Sequence, residues 1–109
     1  MQRGRAALRR GDVFDVELPS GQRPAVIVTR DSAIPFLANV CVAEITTTIR
    51  GLPTEVAVGR GHGLTHDSVV NCDNLNTVSK KRVRGRRGAL GPEELFQLRA
   101  ALQIALELD

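Results

Sequence analysis

Arg23 is the residue in this chain best suited, by type and place, to chemistry on a phosphate. It stands in Gly21-Gln22-Arg23-Pro24, immediately before the apolar, β-branched run Ala25 to Val28, and so at the end of an expected strand. Thr46-Thr47-Thr48 closes a second β-like run. A guanidinium offers a planar fork of N–H donors that matches phosphate oxygens, and a hydroxyl both donates and accepts. Gathered at the ends of two strands, these groups can grip a phosphate and steady charge as it develops there. That points toward RNA chemistry.

Charge placement points the same way. Fifteen Lys and Arg against twelve Asp and Glu leave a net charge of only +3, a mild excess. Yet Arg3, Arg5, Arg9 and Arg10 crowd the start, and Lys80, Lys81, Arg82, Arg84, Arg86 and Arg87 fill one short stretch. Such density focuses positive potential and attracts polyanions, RNA or an acidic polypeptide; the same run also fits a solvated basic loop. Other chemistries find less support. Cys41 and Cys72 lack the spacing of a zinc site; Cys41, in an apolar run, reads as a core residue, and Cys72, between Asn71 and Asp73, is expected nearer a functional surface. His62 and His66 fall in a glycine-rich loop whose Gly59, Gly61 and Gly63 lack the βαβ context of a dinucleotide fingerprint. That loop is expected to shape a mobile edge over RNA, and its histidines to be ordinary loop residues. No cofactor or metal is implied.

The elements that must position these groups are mostly strands. At 109 residues the chain forms one domain with one core. Val13 to Leu18 alternates as a half-buried strand, and Pro19-Ser20-Gly21 turns into the strand Ala25–Thr29. Leu37 to Thr48 is the longest strand expected, Pro53 to Val58 a short edge strand, and Asp67 to Cys72 and Asn76 to Val78 two further short ones. Arg82 to Leu90 has room for another. The period then changes: Pro92-Glu93-Glu94 suits a helix N-terminus, and Leu95, Leu98, Leu102, Ala105 and Leu106 recur at helical spacing, with Phe96 and Ile104 broadening the apolar surface. No apolar run approaches the length of a membrane span, and the basic N-terminus lacks a signal peptide's apolar region. A cytoplasmic location is the default expectation. Residues 1–9 read as a basic extension, disordered or RNA-binding, and 10–109 as the domain.

In this order, Arg10-Gly11-Asp12-Val13, Arg23 to Val28, Thr46-Thr47-Thr48, Gly51-Leu52-Pro53-Thr54-Glu55-Val56, Asp67 to Asp73 and the Pro92-Glu93-Glu94 helix resemble the MazF/PemK family of toxin endoribonucleases, nearly throughout the chain from Arg9. The resemblance implies a mainly β fold, a compact barrel related to SH3 folds with added helices, including one at the C-terminus. It implies a homodimer that cleaves single-stranded RNA at short sequences without a metal. It also implies a cognate antitoxin whose disordered, acidic segment wraps the toxin.

Residue roles follow from the same resemblance. The 2′-hydroxyl would attack the adjacent phosphorus, leaving a 2′,3′-cyclic phosphate and a 5′-hydroxyl, so the site must move protons and offset charge. Arg23 matches the family's catalytic arginine and Thr47 its functional threonine; Thr46 and Thr48 should then point away from the face of Thr47. Asp73 matches an aspartate that some members use as general base, although Asn71 stands where those members carry an arginine. Around them Gln22, Thr46, Thr48, Asn71, Asn74, Lys80, Lys81 and Arg82 are the expected RNA-binding residues. With only Phe14, Phe36 and Phe96 as aromatics, base recognition should rest on polar groups such as Ser20, Gln22, Asn71, Asn74 and Asn76 rather than on stacking. The alternative is a non-catalytic barrel module that binds nucleic acid or a protein partner.

Overall fold

Apolar and polar residues alternate through Asp12–Leu18, and in the computed structural model, which describes residues 7–108, that segment is the first strand, β1. Pro19 and Ser20 turn the chain, and Gly21, at φ +116°, opens β2, Gly21–Ile27, in antiparallel register with β1. The strands β3 (Asn39–Thr46), β4 (Glu55–Val58), β5 (Ser68–Ser79) and β6 (Val83–Ala89) complete one six-stranded sheet in the order β4-β5-β3-β2-β1-β6. Its pairings are antiparallel. A single α-helix, α1 (Pro92–Ala105), follows.

Side-chain parity sorts the core into two clusters. On β3, Ala43 and Ile45 join Val13, Val26, Val70, Leu98 and Leu102 in the cluster beneath α1. Val40 and Val42 belong instead with Val16, Ala25, Ile27 and Val83 on the other face of the curled sheet. Successive residues of a strand face opposite ways, so Glu44 and Thr46 share the side of Val40 and Val42, at the rim of the second cluster.

β5 is one strand where the sequence suggests two. Its register against β3 runs Thr46↔Val69 to Glu44↔Asn71, then resumes at Ala43↔Leu75, so Cys72, Asp73 and Asn74 bulge out between consecutive β3 residues. Asp and Asn are poor strand formers, which hides the strand's continuity in the sequence. Bulges of this kind re-aim side chains beside functional sites.

The edge strands are brought toward each other by the segment after β4. A single 3-10 turn, Arg60–His62, packs on β6. A Cβ built at Gly63, whose φ is +87°, would lie 2.0 Å from the Arg87 carbonyl oxygen, and one at Gly88 would lie 2.5 Å from that of His62. The glycine-rich loop is therefore clamped onto β6, contrary to the expected mobile edge over RNA. His62 accepts from the Gly59 N–H through Nδ1 (3.0 Å) and places Nε2 3.4 Å from Glu94 Oε1.

The helix starts as its sequence requires, with Pro92 in the first turn and Glu94 Oε1 accepting from the Gly91 N–H at 3.0 Å. Burial weakens Glu94's acidity, but that hydrogen bond and His62 outweigh it and hold the carboxyl below the usual range. Leu98, Ala101 and Leu102 face the core. Phe96 and Ile104, expected to broaden the helix's apolar surface, are exposed on its outer side. Among the described residues no helix is long and apolar enough to cross a membrane. Of the basic N-terminal extension, residues 1–6 lie outside the described residues.

Candidate active site

The β2–β3 ladder pairs Ala25 with Glu44, so two residues further along the same strands Arg23 comes level with Thr46. The bulge of β5 lies on the other side of Glu44. Together they enclose a cavity of about 230 Å³ whose wall includes Arg23, Glu44, Thr46, Thr48, Asp73 and Asn74. Asn71, Arg50, Leu52 and Glu55 complete it.

Each wall has a local cause. Arg23 sits on the half-exposed start of β2, where its Nε donates to Ser20 Oγ at 3.3 Å and stands 3.9 Å from Glu44 Oε1. The connection from β3 to β4 is organised by Glu55, whose Oε1 accepts from the backbone N–H groups of Arg50 (3.1 Å), Gly51 (2.9 Å) and Leu52 (3.3 Å). Gly51, at φ +72°, gives that turn its left-handed step, and the turn presents Arg50 to the cavity. On the bulge, Asn71 Oδ1 accepts from the Asp73 N–H at 3.0 Å, an Asx-type link that shapes a turn. Asp73 Oδ2 accepts from Thr54 Oγ1 at 2.6 Å.

The structure redistributes the threonines. Thr46 and Thr48 both line the cavity, and Thr46 Oγ1 accepts from the Thr48 N–H at 3.1 Å. Thr47 is an exposed bend residue beyond the end of β3 and does not line it. The expected opposition of Thr47 to its neighbours is present, and it is the neighbours that face the cavity. The reason is parity: Thr46 shares the face of Glu44 and Val42, whereas Thr47 has the parity of Ile45, which packs beneath the helix.

The basic stretch is separate from this cavity. Lys80 follows the end of β5 that pairs with Asn39, while the cavity sits at the Thr46 end of β3, roughly 20 Å away at strand spacing. Lys80 Nζ donates to the Ile34 carbonyl. Arg82 and Arg84 bracket Glu17 at 3.7 and 3.4 Å, Arg86 pairs with Asp12 at 3.4 Å and Arg87 with Asp15 at 2.9 Å. Most of the run therefore neutralises β1 across the β1–β6 ladder. Gln22 is exposed beside Glu17 on β1 and also lies off the wall.

Cys72, expected near a functional surface, is buried in the larger cluster, because this first residue of the bulge keeps the core parity of Val70. Burial first, and the charge of Asp73 second, push its thiol up to about 11, against a smaller opposing effect of Arg10. Cys41 is half-buried rather than fully in the core. Neither histidine reaches the cavity. Among the described residues no group of three or more His, Cys, Asp or Glu is placed to hold a metal ion.

Glu44, Arg50, Leu52 and Glu55 are the wall residues that reasoning from sequence did not assign to the site. The signal for Glu44 is visible afterwards: it is the acidic residue in the otherwise apolar register Val40, Val42, Glu44. Arg50 sits in a segment that reads only as a turn.

A family model described as the PemK-like, MazF-like toxin of type II toxin-antitoxin systems matches residues 9–106. The chain belongs to that family. Endoribonuclease MazF3 of Mycobacterium tuberculosis is 44% identical to this toxin over 87 residues, 80% of this chain and 84% of the relative. The solved Mycobacterium tuberculosis toxin MazF-mt6 superposes with a TM-score of 0.85 at 40% identity, covering 90% of this chain and 98% of that one. A mycobacterial endoribonuclease solved in complex with its cognate antitoxin matches with a TM-score of 0.85 at 34% identity, covering 95% and 98%. The mainly β fold with one C-terminal helix is thus the family's own, here a six-stranded curled sheet.

Proposed function

We propose that this toxin, an endoribonuclease by its family, cuts single-stranded RNA within the Arg23 cavity, at preferred sequences and without a metal. The 2′-hydroxyl attacks the adjacent phosphorus, giving a 2′,3′-cyclic phosphate and a 5′-hydroxyl. What carries this reading is the convergence of two guanidiniums, Arg23 and Arg50, with the Thr46 and Thr48 side chains on one small cavity. The guanidiniums offset charge building on the non-bridging oxygens, and the hydroxyls orient the phosphate. Asp73 reaches the same wall with Oδ1 available to substrate. Asn71 and Asn74 supply amides for base edges exposed in a single strand, while Lys81, exposed at the far end of β5, extends the surface for the RNA backbone.

In this reading the toxin works in the cytoplasm as a homodimer and is silenced by a cognate antitoxin through a disordered acidic segment. Exposed Phe96, Ile104, Leu106 and Leu108 supply apolar surface for association. A groove of about 660 Å³ between α1 and the sheet, lined by Val40, Leu75 and Leu102 and bearing Arg10, Arg30 and Arg99, has the chemistry for an acidic segment with apolar anchors.

The test incubates the purified protein and R23A with a mixed-sequence single-stranded RNA pool in the presence of chelator, then maps cut positions and terminal groups. Discrete cuts with cyclic phosphate and 5′-hydroxyl ends, made only by the unmutated protein, are expected. RNA bound but left intact across a complete motif library would overturn the reading in favour of a non-catalytic binding module.

A further inference from the structure

Three carboxylates line a cavity read here as a phosphate site; one is held by local backbone, and the other two, Asp73 and Glu44, each keep one free oxygen but differ in burial and in distance from Arg23. Glu55 holds three backbone amides of the Arg50 turn. Asp73, exposed on the bulge, has one oxygen taken by Thr54. Glu44 differs. Its Oε2 accepts from Asn74 Nδ2 at 2.8 Å and Asn76 Nδ2 at 3.2 Å, which fixes the carboxylate plane from one side. Its Oε1 accepts no hydrogen bond among the described residues and stands 3.9 Å from Arg23 Nε, too far for a hydrogen bond but close enough for attraction. The side chain is only 15% exposed. A negative group so close to the phosphate-binding arginine repels substrate phosphate, so its presence calls for a chemical use.

We infer that Glu44 is the general base of the cleavage, its Oε1 taking the proton of the 2′-hydroxyl. The inference rests on the reading of the cavity as the cleavage site. As the new 2′-O–P bond forms and the P–O5′ bond breaks, the 2′-proton passes to Glu44 Oε1. The departing 5′-oxygen takes a proton from water, and the hydroxide left behind takes the proton from Glu44, restoring the carboxylate. Arg23 holds the phosphate beside it, so base and electrophile are positioned by neighbouring strands. Asn74 and Asn76 are positioning residues that keep Oε1 turned to the cavity. The charged groups around Glu44 are Arg23 from β2, Arg50 and Glu55 from the β3–β4 connection and β4, and Asp73 from β5.

The test uses the full chain and an oligonucleotide carrying one ribonucleotide at a cut site mapped with the RNA pool. E44Q should lose about 100-fold or more in kcat and lose the acid limb of the kcat–pH profile. It should bind the 2′-deoxy analogue at least as tightly as the unmutated protein, because binding needs no base and the repulsion of the phosphate by the carboxylate is gone. E44D should keep a weaker activity with the acid limb intact, and D73N should keep the limb as well. E44Q with unchanged kcat and pH profile would overturn the assignment, as would loss of the acid limb in D73N alone. If E44Q does not fold, E44D and the pair N74A/N76A decide, since freeing the carboxylate should lower kcat without removing the limb; unchanged kcat in both overturns the assignment. Failure of the unmutated protein to cut any RNA would instead sink the cleavage reading itself.

Discussion

Thr54 Oγ1 donates to Asp73 Oδ2 across 2.6 Å, while the Thr54 carbonyl accepts from the Cys72 N–H at 3.0 Å. One buried threonine ahead of β4 thus clasps the β5 bulge through both side chain and backbone, and the bulge is what carries Asp73 and Asn74 to the cavity. Replacing Thr54 by Val keeps the shape and the backbone bond but removes the donor. T54V should cost about 1 kcal/mol of stability, the worth of a typical net hydrogen bond, and lower cleavage by about 10-fold through a looser bulge. Urea unfolding beside single-turnover cleavage checks both; full activity with only the stability loss would show that the clasp does not serve the site.

The threonines separate by parity. T46A should reduce kcat/KM by about 10-fold, one lost phosphate hydrogen bond at roughly 1.4 kcal/mol, whereas T47A should stay within about 2-fold of the unmutated protein. Kinetics on the mapped oligonucleotide distinguish them. The opposite order would mean that the threonine segment rearranges when RNA binds.

In the proposed site Arg23 supplies geometry as well as charge. R23K keeps the charge but loses the planar fork, so it should remain about 100-fold slower than the unmutated protein, within about 10-fold of R23A. Restoration of activity by Lys would show that a point charge suffices.

Glu94 links the start of α1 to the clamped loop, and its carboxyl is held below the usual range. A carboxyl with a depressed native pKa stabilises the fold above its unfolded-state pKa, and that stabilisation disappears as the pH falls through the native value. The melting temperature of E94Q should therefore lie below that of the unmutated protein near neutral pH, and the two should converge in strong acid. A difference independent of pH would assign the effect to packing. Leu98, fully buried on the inner face of α1, supplies the comparison: L98A should cost about 2 to 5 kcal/mol, with little dependence on pH.

Much of the architecture was legible because it depends on short-range pattern. Alternation announced β1, the β-branched run announced β2, and Pro92-Glu93-Glu94 followed by leucines at helical spacing announced α1 within a residue of its start. β5 was not, because Cys72-Asp73-Asn74 breaks the period locally while Leu75, Thr77 and Ser79 resume the pairing with β3; only a partner strand makes a bulge distinguishable from a break. The arginines of β6 were visible as a charge run, yet their partners Asp12, Asp15 and Glu17 lie some 65 to 75 residues away in the chain, and no local pattern couples such groups.

By itself, then, the sequence determined the family, the strand-rich class with its closing helix, and the residue types available for phosphate chemistry, since these follow from composition, local periodicity and motif order. The tertiary structure decided which of those residues meet. Cross-strand register set Arg23 level with Thr46, strand parity turned Thr47 away, and the bulge brought Asp73 and Asn74 to Glu44. Register and parity are properties of paired strands, and a difference of one residue exchanges the two faces of a sheet.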